Sequence, residues 1–166
     1  MGGELSADDT AGAAETGDGL MLDLQLCFDL LKASRAFNGV YRNLLGASGL
    51  TYPQYLTMMT LWEHREMQVK QLGEVLRLDS GTLSPLLKRL EAAGLVTRER
   101  NAADERSVTV RPTADGQALR ERVREVPGQI MAATGLSPEQ AADLRDRLRT
   151  LTDSLDTAAR TYPASD

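Results

Sequence analysis

The spacing of apolar residues departs from a helical period in one segment of this 166-residue chain, and that segment constrains the fold more than any other sequence feature. Residues 95–100 and 107–113 are short stretches in which β-branched and polar side chains alternate, and the polar segment 101–105 connects them. This pattern predicts a two-stranded hairpin. Elsewhere, from residue 20 onward, apolar residues recur every three or four positions, which predicts helices. Four helical stretches precede the hairpin and two follow it, within 20–46, 51–66, 69–78, 80–93, 113–134 and 137–160.

Residues that begin and end helices support these limits. Asp79 or Ser80 is expected to cap the fourth stretch, which ends at Gly94 as helices commonly do. The segment 137–140, Ser-Pro-Glu-Gln, combines a capping box with a proline suited to the first turn. Pro127 is expected to bend the long helical stretch that precedes this segment.

Three helices followed by a two-stranded hairpin make a winged helix-turn-helix, so the predicted fold class is mainly α (α+β). The flanking helices carry apolar stripes that a small winged-helix core has no room to bury. Burial against a second copy of the chain is the simplest solution, so we expect N- and C-terminal dimerisation helices and a homodimer. The expected organisation is a disordered acidic leader at 1–19, an N-terminal dimerisation helix at 20–50, a winged helix-turn-helix domain at 51–112 and C-terminal dimerisation helices at 113–161.

Composition excludes several classes of protein. Apolar residues make up 42 % and charged residues 26 %, which are ordinary values for a globular domain. No apolar run approaches the ~18 residues of a membrane span and no signal peptide is recognisable, so no membrane partner is expected. Cys27 is the only cysteine and cannot form an internal disulfide, which fits a cytoplasmic location. His64 is the only histidine, so a zinc site lacks ligands; no metal and no other cofactor are expected.

The net charge of −5 comes from the predicted leader. Residues 1–20 contain five acidic residues and no Lys or Arg, and the remainder of the chain is neutral. Sixteen of the 19 basic residues are arginine, the side chain suited to bidentate contacts with phosphate and guanine. Bulk charge therefore neither favours nor excludes a nucleic-acid partner.

The fourth helical stretch and the hairpin hold the candidate DNA-binding residues. Small polar side chains early in a recognition helix allow close approach to DNA, and basic ones follow one to two turns later. The candidates on the helix are Ser80, Gly81, Thr82, Ser84, Lys88 and Arg89. In the hairpin, Arg106 is placed to enter a minor groove, and Asp104 to hold its side chain extended. Taken alone, the helix also fits an ordinary solvated face, and the Asp104–Arg106 pair a surface salt bridge.

The segments LRLDSGTLSPLLKRLEAAGLVTRER and NAADERSVTVRPTADG resemble the DNA-binding core of the MarR family. The segments LQLCF and LTYPQYLTMMTLWE are similar to those of its organic-hydroperoxide sensors. The resemblance implies a homodimeric repressor that binds a palindromic operator in double-stranded DNA and releases it when a cysteine is oxidised. It places Cys27 at the peroxide-reactive position, which makes 20–50 the sensor segment. It also implies that Tyr41 and Tyr52 hydrogen-bond the sulfur.

Helix geometry constrains how these residues meet. Tyr41 is fourteen residues beyond Cys27, so on one continuous helix the two lie about 21 Å apart. We therefore expect the tyrosines to approach Cys27 from the partner subunit. Asp23 and Asp29 flank Cys27 and disfavour a thiolate, so activation must come from the positive end of the helix and from phenol donors. This chain has Leu31 where the family usually has a further tyrosine.

With one cysteine per chain, the expected fate of oxidised Cys27 is a mixed disulfide with a small cellular thiol, or overoxidation. Two other hypotheses remain open at this point. The chain is a MarR-type regulator that responds to a small aromatic ligand, with Cys27 inert and simply packed. Alternatively, it is an enzyme, a single-cysteine thiol peroxidase, although the sequence lacks the alternating β/α pattern usual for that class.

Overall fold

The computed structural model describes residues 20–101 and 104–162, with the side chains of all of these except 101 and 104–106. The predicted acidic leader at 1–19 lies outside the described residues. The elements, in chain order, are α1 Leu26–Leu45, α2 Tyr52–His64, β1 Met67–Gln68, α3 Val69–Leu76, α4 Ser80–Ala92, β2 Val96–Asn101, β3 Asp104–Pro112, α5 Ala114–Arg122, α6 Val126–Thr134 and α7 Pro138–Thr161. This mainly helical chain with one small sheet confirms the predicted winged helix-turn-helix class.

The chain divides into two compact units, one ending at Phe37 and the other beginning at Asn38. In the first, a short 3-10 helix at Leu22–Leu24 precedes α1, so the regular helix begins later than the apolar pattern suggested. From residue 20 to the end of this unit, most of the large apolar side chains are exposed. Leu20, Leu22, Leu24 and Leu26 are each more than half exposed.

The second unit contains the core. Its buried side chains come from every helix between α2 and α6 and from both long strands: Tyr55, Met58, Leu61, Leu72, Leu83, Leu87, Leu90, Val96, Val110, Leu119, Val123 and Val126. Leu45, at the end of α1, is also fully buried here. Each of these helices contributes one apolar face to the same core. The apolar residues of each helix therefore recur at helical spacing in the sequence, which is why the helices were predictable.

The sheet has three antiparallel strands in the order β1-β3-β2, whereas the sequence predicted only two. Met67 of β1 pairs with Val110 of β3. Strand β1 was not predicted, because a strand of two residues is too short to display an alternating pattern. The hairpin strands extend further than predicted toward the connection between them and end one residue short of the predicted limits at their base. Their register shifts between Arg100 and Asn101.

The stretch 113–134, predicted as one bent helix, is two helices in the structure. Helix α5 ends at Arg122, and Pro127 lies in the first turn of α6. A proline lacks the backbone N–H that a continuing helix needs and clashes with the carbonyl four residues earlier. In the first turn neither problem arises, so the chain restarts the helix around Pro127.

Helix α5 packs tightly against the base of the hairpin. An added Cβ on Gly116 would lie 2.0 Å from the carbonyl oxygen of Leu95, so only glycine fits there. The indole Nε1 of Trp62 donates to the carbonyl oxygen of Gly116 at 2.9 Å. Thr113 caps α5 by accepting from the Gly116 N–H at 3.0 Å. These contacts join α2, the base of the hairpin and α5 to one another.

Candidate functional site

One face of α4 carries all six of the DNA-binding candidates predicted on that helix. Its four core leucines, at positions 83, 86, 87 and 90, are each at most 8 % exposed and hold the opposite face in the core. The six candidates are exposed: Ser80, Gly81, Thr82, Ser84, Lys88 and Arg89. The fold thus brings them onto one open surface of a single helix, and their contact with DNA stays a prediction.

The N-terminus of α4 is capped by Asp79, one of the two residues proposed for that role. Its carboxylate accepts from the backbone N–H of Thr82 at 2.9 Å and from the Thr82 hydroxyl at 3.0 Å. These hydrogen bonds, the backbone bond first, hold the pKa of Asp79 below its usual range. The cap therefore orders the first turn, where three of the candidate residues lie.

An ion pair joins the other end of α4 to the hairpin. The Nε of Arg98 in β2 donates to a carboxylate oxygen of Glu91 at 2.9 Å, and a second guanidinium nitrogen contacts the same oxygen. The hydrogen bond from Arg98 is the main reason that the pKa of Glu91 is lowered. This pair was not predicted from the sequence, because Glu91 and Arg98 meet only through the turn at Gly94.

The hairpin candidates lie at the start of β3. Asp104 pairs with Asn101 across the end of the hairpin, and the backbone of Arg106 lies within the strand, two residues further on. Only residues 102 and 103 separate the two strands. The side chains of Asp104 and Arg106 lie outside the described part of the structure, so the predicted contact between them stays a prediction.

Cys27 is the second residue of α1 and is exposed. Backbone N–H groups in the first turn of a helix stabilise negative charge. Asp29, expected to oppose such a charge, is paired with Lys32 at 2.8 Å, which weakens its effect. Leu31 is also substantially exposed.

Tyr41 and Tyr52 stack on each other, with ring centroids 4.0 Å apart and ring planes within 17°. Burial, together with smaller contributions from Tyr52, Tyr55 and a hydrogen bond to Tyr52, raises the pKa of Tyr41 to about 12. Burial likewise raises the pKa of Tyr52, although the hydrogen bond from Tyr41 opposes this. Both phenols consequently keep their protons well above neutral pH. The structure brings these two predicted residues together, and their bond to the sulfur stays a prediction.

Tyr55 extends the aromatic cluster and was not predicted as part of it. Its ring centroid lies 5.9 Å from that of Tyr41 and 6.5 Å from that of Trp62. The signal was present in the sequence, because Tyr52 and Tyr55 are three residues apart and share one helix face. Tyr55 is almost fully buried, so it anchors the cluster to the core.

Two negative findings concern the described residues alone. They contain no group of three His, Cys, Asp or Glu side chains placed to hold a metal ion. None of their helices has both the length and the apolar character required to cross a membrane.

The family comparison matches residues 50–108 to the model described as "MarR family". The organic hydroperoxide resistance transcriptional regulator of Bacillus subtilis (strain 168) is 46% identical over 138 residues, which span 83% of this chain and 94% of that protein. The HTH-type transcriptional regulator TtmR of Methylorubrum extorquens (strain PA1) is 44% identical over 144 residues, 86% of this chain and 74% of that protein.

Solved structures of similar fold include one of AbfR in its reduced form bound to DNA. It is 36% identical in sequence with a TM-score of 0.68, and the match covers 81% of this chain and 94% of that one. A second structure, of overoxidised AbfR bound to DNA, matches with the same identity, TM-score and coverage. The fold seen here is thus similar to that of a protein solved on DNA in both a reduced and an overoxidised form.

Proposed function

Since this chain belongs to the MarR family of transcriptional regulators, we propose that it is a repressor that senses organic hydroperoxides through Cys27. In this proposal it binds a palindromic operator in double-stranded DNA as a homodimer and releases it on oxidation. The observation that carries the proposal is an exposed Cys27 in the first turn of α1, in a chain whose Tyr41 and Tyr52 form a half-buried, stacked pair of phenols. The similarity to the Bacillus subtilis regulator supports the same assignment.

DNA binding is assigned to α4 and the hairpin. The exposed face of α4 enters the major groove with Ser80, Gly81, Thr82 and Ser84 leading, and Lys88 and Arg89 contact phosphates or base edges. Arg106 extends from the hairpin into the adjacent minor groove, steadied by Asp104. Residues 51–112 act as the DNA-binding domain, and 20–50 and 113–161 as sensor and dimerisation segments. The two copies of α4 then reach successive major grooves.

The chemistry proposed for Cys27 is a two-electron oxidation. Its thiolate attacks the terminal oxygen of the hydroperoxide, the O–O bond breaks, and sulfenate and an alcohol are formed. A small cellular thiol then attacks the sulfenic acid, giving a mixed disulfide and water. The first step requires Cys27 to be a free thiol, which a reducing cytoplasm maintains, so the proposal includes a cytoplasmic location.

The tyrosines are proposed to orient and stabilise the reacting sulfur. Phenols are protonated at neutral pH, so each can donate an O–H to a thiolate, Tyr41 by exchanging its hydrogen bond to Tyr52 for one to the sulfur. Cys27 and Tyr41 are fourteen residues apart on α1, so we assign the donors to the partner subunit.

In this proposal, a thiol adduct on Cys27 adds bulk at the interface between the two subunits and displaces Tyr41 and Tyr52. Displacement of Tyr52 moves the start of α2, which packs in the same core as α4.

The decisive experiment compares the wild type with Cys27→Ser. An operator is first selected from a random duplex library with the wild-type protein, and both proteins are titrated onto it. Cumene hydroperoxide is then added alone or with a small thiol, and intact mass is recorded in parallel. We expect both proteins to bind the operator. Peroxide alone should leave substantial binding by the wild type, whereas peroxide plus thiol should release it, reversibly with reductant. Cys27→Ser should remain bound throughout.

The same experiment separates the competing hypotheses. Release of Cys27→Ser by peroxide, or no release of the wild type, would contradict redox sensing through Cys27. Release of both proteins by a small aromatic acid would favour the ligand-responsive regulator. Peroxide consumption serves as the control for enzymatic activity, because a sensor consumes one equivalent per chain whereas a thiol peroxidase turns over repeatedly.

A further inference from the structure

A bidentate ion pair joins the turn of the helix-turn-helix to the C-terminal helix. The guanidinium of Arg77 donates from Nη1 to Oδ1 of Asp156 at 3.0 Å and from Nη2 to Oδ2 at 2.6 Å. The two residues are 79 positions apart in the sequence. Two parallel hydrogen bonds between planar groups define orientation as well as distance, which a single contact does not.

Arg77 occupies a position that restricts its backbone. It follows α3 as the C-cap, within the three-residue connection to α4, and has left-handed φ and ψ values of 53° and 44°. Glycine is the usual residue at such a position because any Cβ adds steric strain. In place of glycine, Arg77 brings a side chain that its two hydrogen bonds to Asp156 hold in one orientation.

Asp156 lies on an element with little other attachment. Of the 24 residues of α7, Ala141 near its beginning is the buried one. The pairs of Arg147 with Asp143 and of Arg149 with Asp146 both lie within α7 itself. Arg77 also shares a shallow groove with residues 148, 149, 152 and 153 of α7. The pair with Asp156 therefore connects the C-terminal half of α7 to the DNA-binding motif.

We propose that Arg77 and Asp156 are positioning residues that hold the DNA-binding motif at a defined orientation to α7. This inference rests on the proposed function, in which α7 pairs with a second copy and α4 reads DNA. The ion pair then transmits the geometry of the dimer to the two recognition helices. Breaking it leaves each motif folded but free to turn, so fewer molecules hold both copies of α4 at the spacing that the operator requires.

A different role for Arg77 predicts the opposite result. If Arg77 contacted a phosphate, Asp156 would compete with the DNA for it. Asp156→Asn would then strengthen operator binding and steepen its dependence on salt, because one more cation would be available to displace counterions. If the ion pair instead holds the orientation of the DNA-binding motif, the same substitution weakens operator binding and leaves its salt dependence unchanged. The sign of the change therefore separates the two roles.

The test uses the full chain and the operator selected with the wild type. We expect Asp156→Asn to weaken operator binding by about threefold to tenfold at every salt concentration. Sedimentation and thermal unfolding should show an intact, folded dimer. The matched control is Asp146→Asn, which removes the same charge from the same helix and breaks only the internal pair with Arg149. It should bind the operator like the wild type.

A charge reversal supplies the second arm. Arg77→Asp should weaken binding, and adding Asp156→Arg should restore part of the lost affinity by rebuilding the pair in the opposite sense. Unchanged or tighter binding by Asp156→Asn, an equal loss in Asp146→Asn, or no recovery in the double variant would overturn the inference. Failure of the wild type itself to select any DNA would instead refute the proposed function, so the two failures are distinguishable.

Discussion

At the scale of single residues, burial changes the chemistry of the Tyr41–Tyr52 pair by raising the pKa of both phenols. Tyr41 has a pKa raised from 10.0 to about 12, mainly by burial and further by neighbouring tyrosines. Between pH 10 and 12 an unfolded chain ionises this phenol, whereas the folded chain keeps it protonated. The contribution of Tyr41 to stability is therefore complete below pH 10 and is lost as the pH rises toward 12.

We expect the free energy of unfolding to fall less steeply above pH 10 in Tyr41→Phe than in the wild type. Phenylalanine cannot ionise, so this part of the pH dependence disappears, and Tyr52 and Tyr55, whose pKa values burial also raises, still contribute. Urea unfolding at a series of pH values from 9 to 11 measures the slopes. Tyr162→Phe, at a largely exposed tyrosine, is the matched control and should follow the wild type. Equal slopes for wild type and Tyr41→Phe would contradict the assignment.

At the scale of elements, the contact between α5 and the hairpin tolerates no added atom at Gly116. A Cβ there meets the Leu95 carbonyl at 2.0 Å, and backbone cannot move aside as a flexible side chain does. We expect Gly116→Ala to lower the free energy of unfolding by about 1–3 kcal/mol or more. Gly128→Ala is the control, because a Cβ on that α6 glycine meets nothing within 4 Å. Gly128→Ala should raise the free energy of unfolding by about 0.4–1 kcal/mol. Denaturant unfolding of the two variants measures whether the free energy of unfolding falls in one and rises in the other.

At the scale of the whole molecule, the terminal segments expose apolar surface that a lone chain does not bury. Leu144, Leu148 and Leu155 lie on α7 and are each more than a third exposed. Apolar residues clustered in this way mark protein interfaces. We expect the wild type to sediment as a dimer at micromolar concentration, and Leu144→Asp with Leu148→Asp to shift it to monomer. Val75→Asp, at an exposed apolar residue on α3, should remain dimeric. A monomeric wild type would contradict the dimer.

Much of the architecture was predictable because its causes are local. The core leucines of α4 recur at helical spacing, and the caps at Asp79 and Ser137 each involve residues within three positions. The alternating strands identified the hairpin, and the exposed face of α4 followed from its buried one. The resemblance then assigned Cys27, Tyr41 and Tyr52 to one function.

Other features were decided only by the tertiary structure. Strand β1 exists because β3 offers it a pairing edge, not because two residues favour a strand. The stacking of Tyr41 on Tyr52 depends on how α1 and α2 pack. The pairs Glu91–Arg98 and Arg77–Asp156 join residues that the sequence separates by a turn or by most of the domain. Spacing along the chain determines which side chains share a face, whereas the packing of faces in three dimensions determines which distant side chains meet.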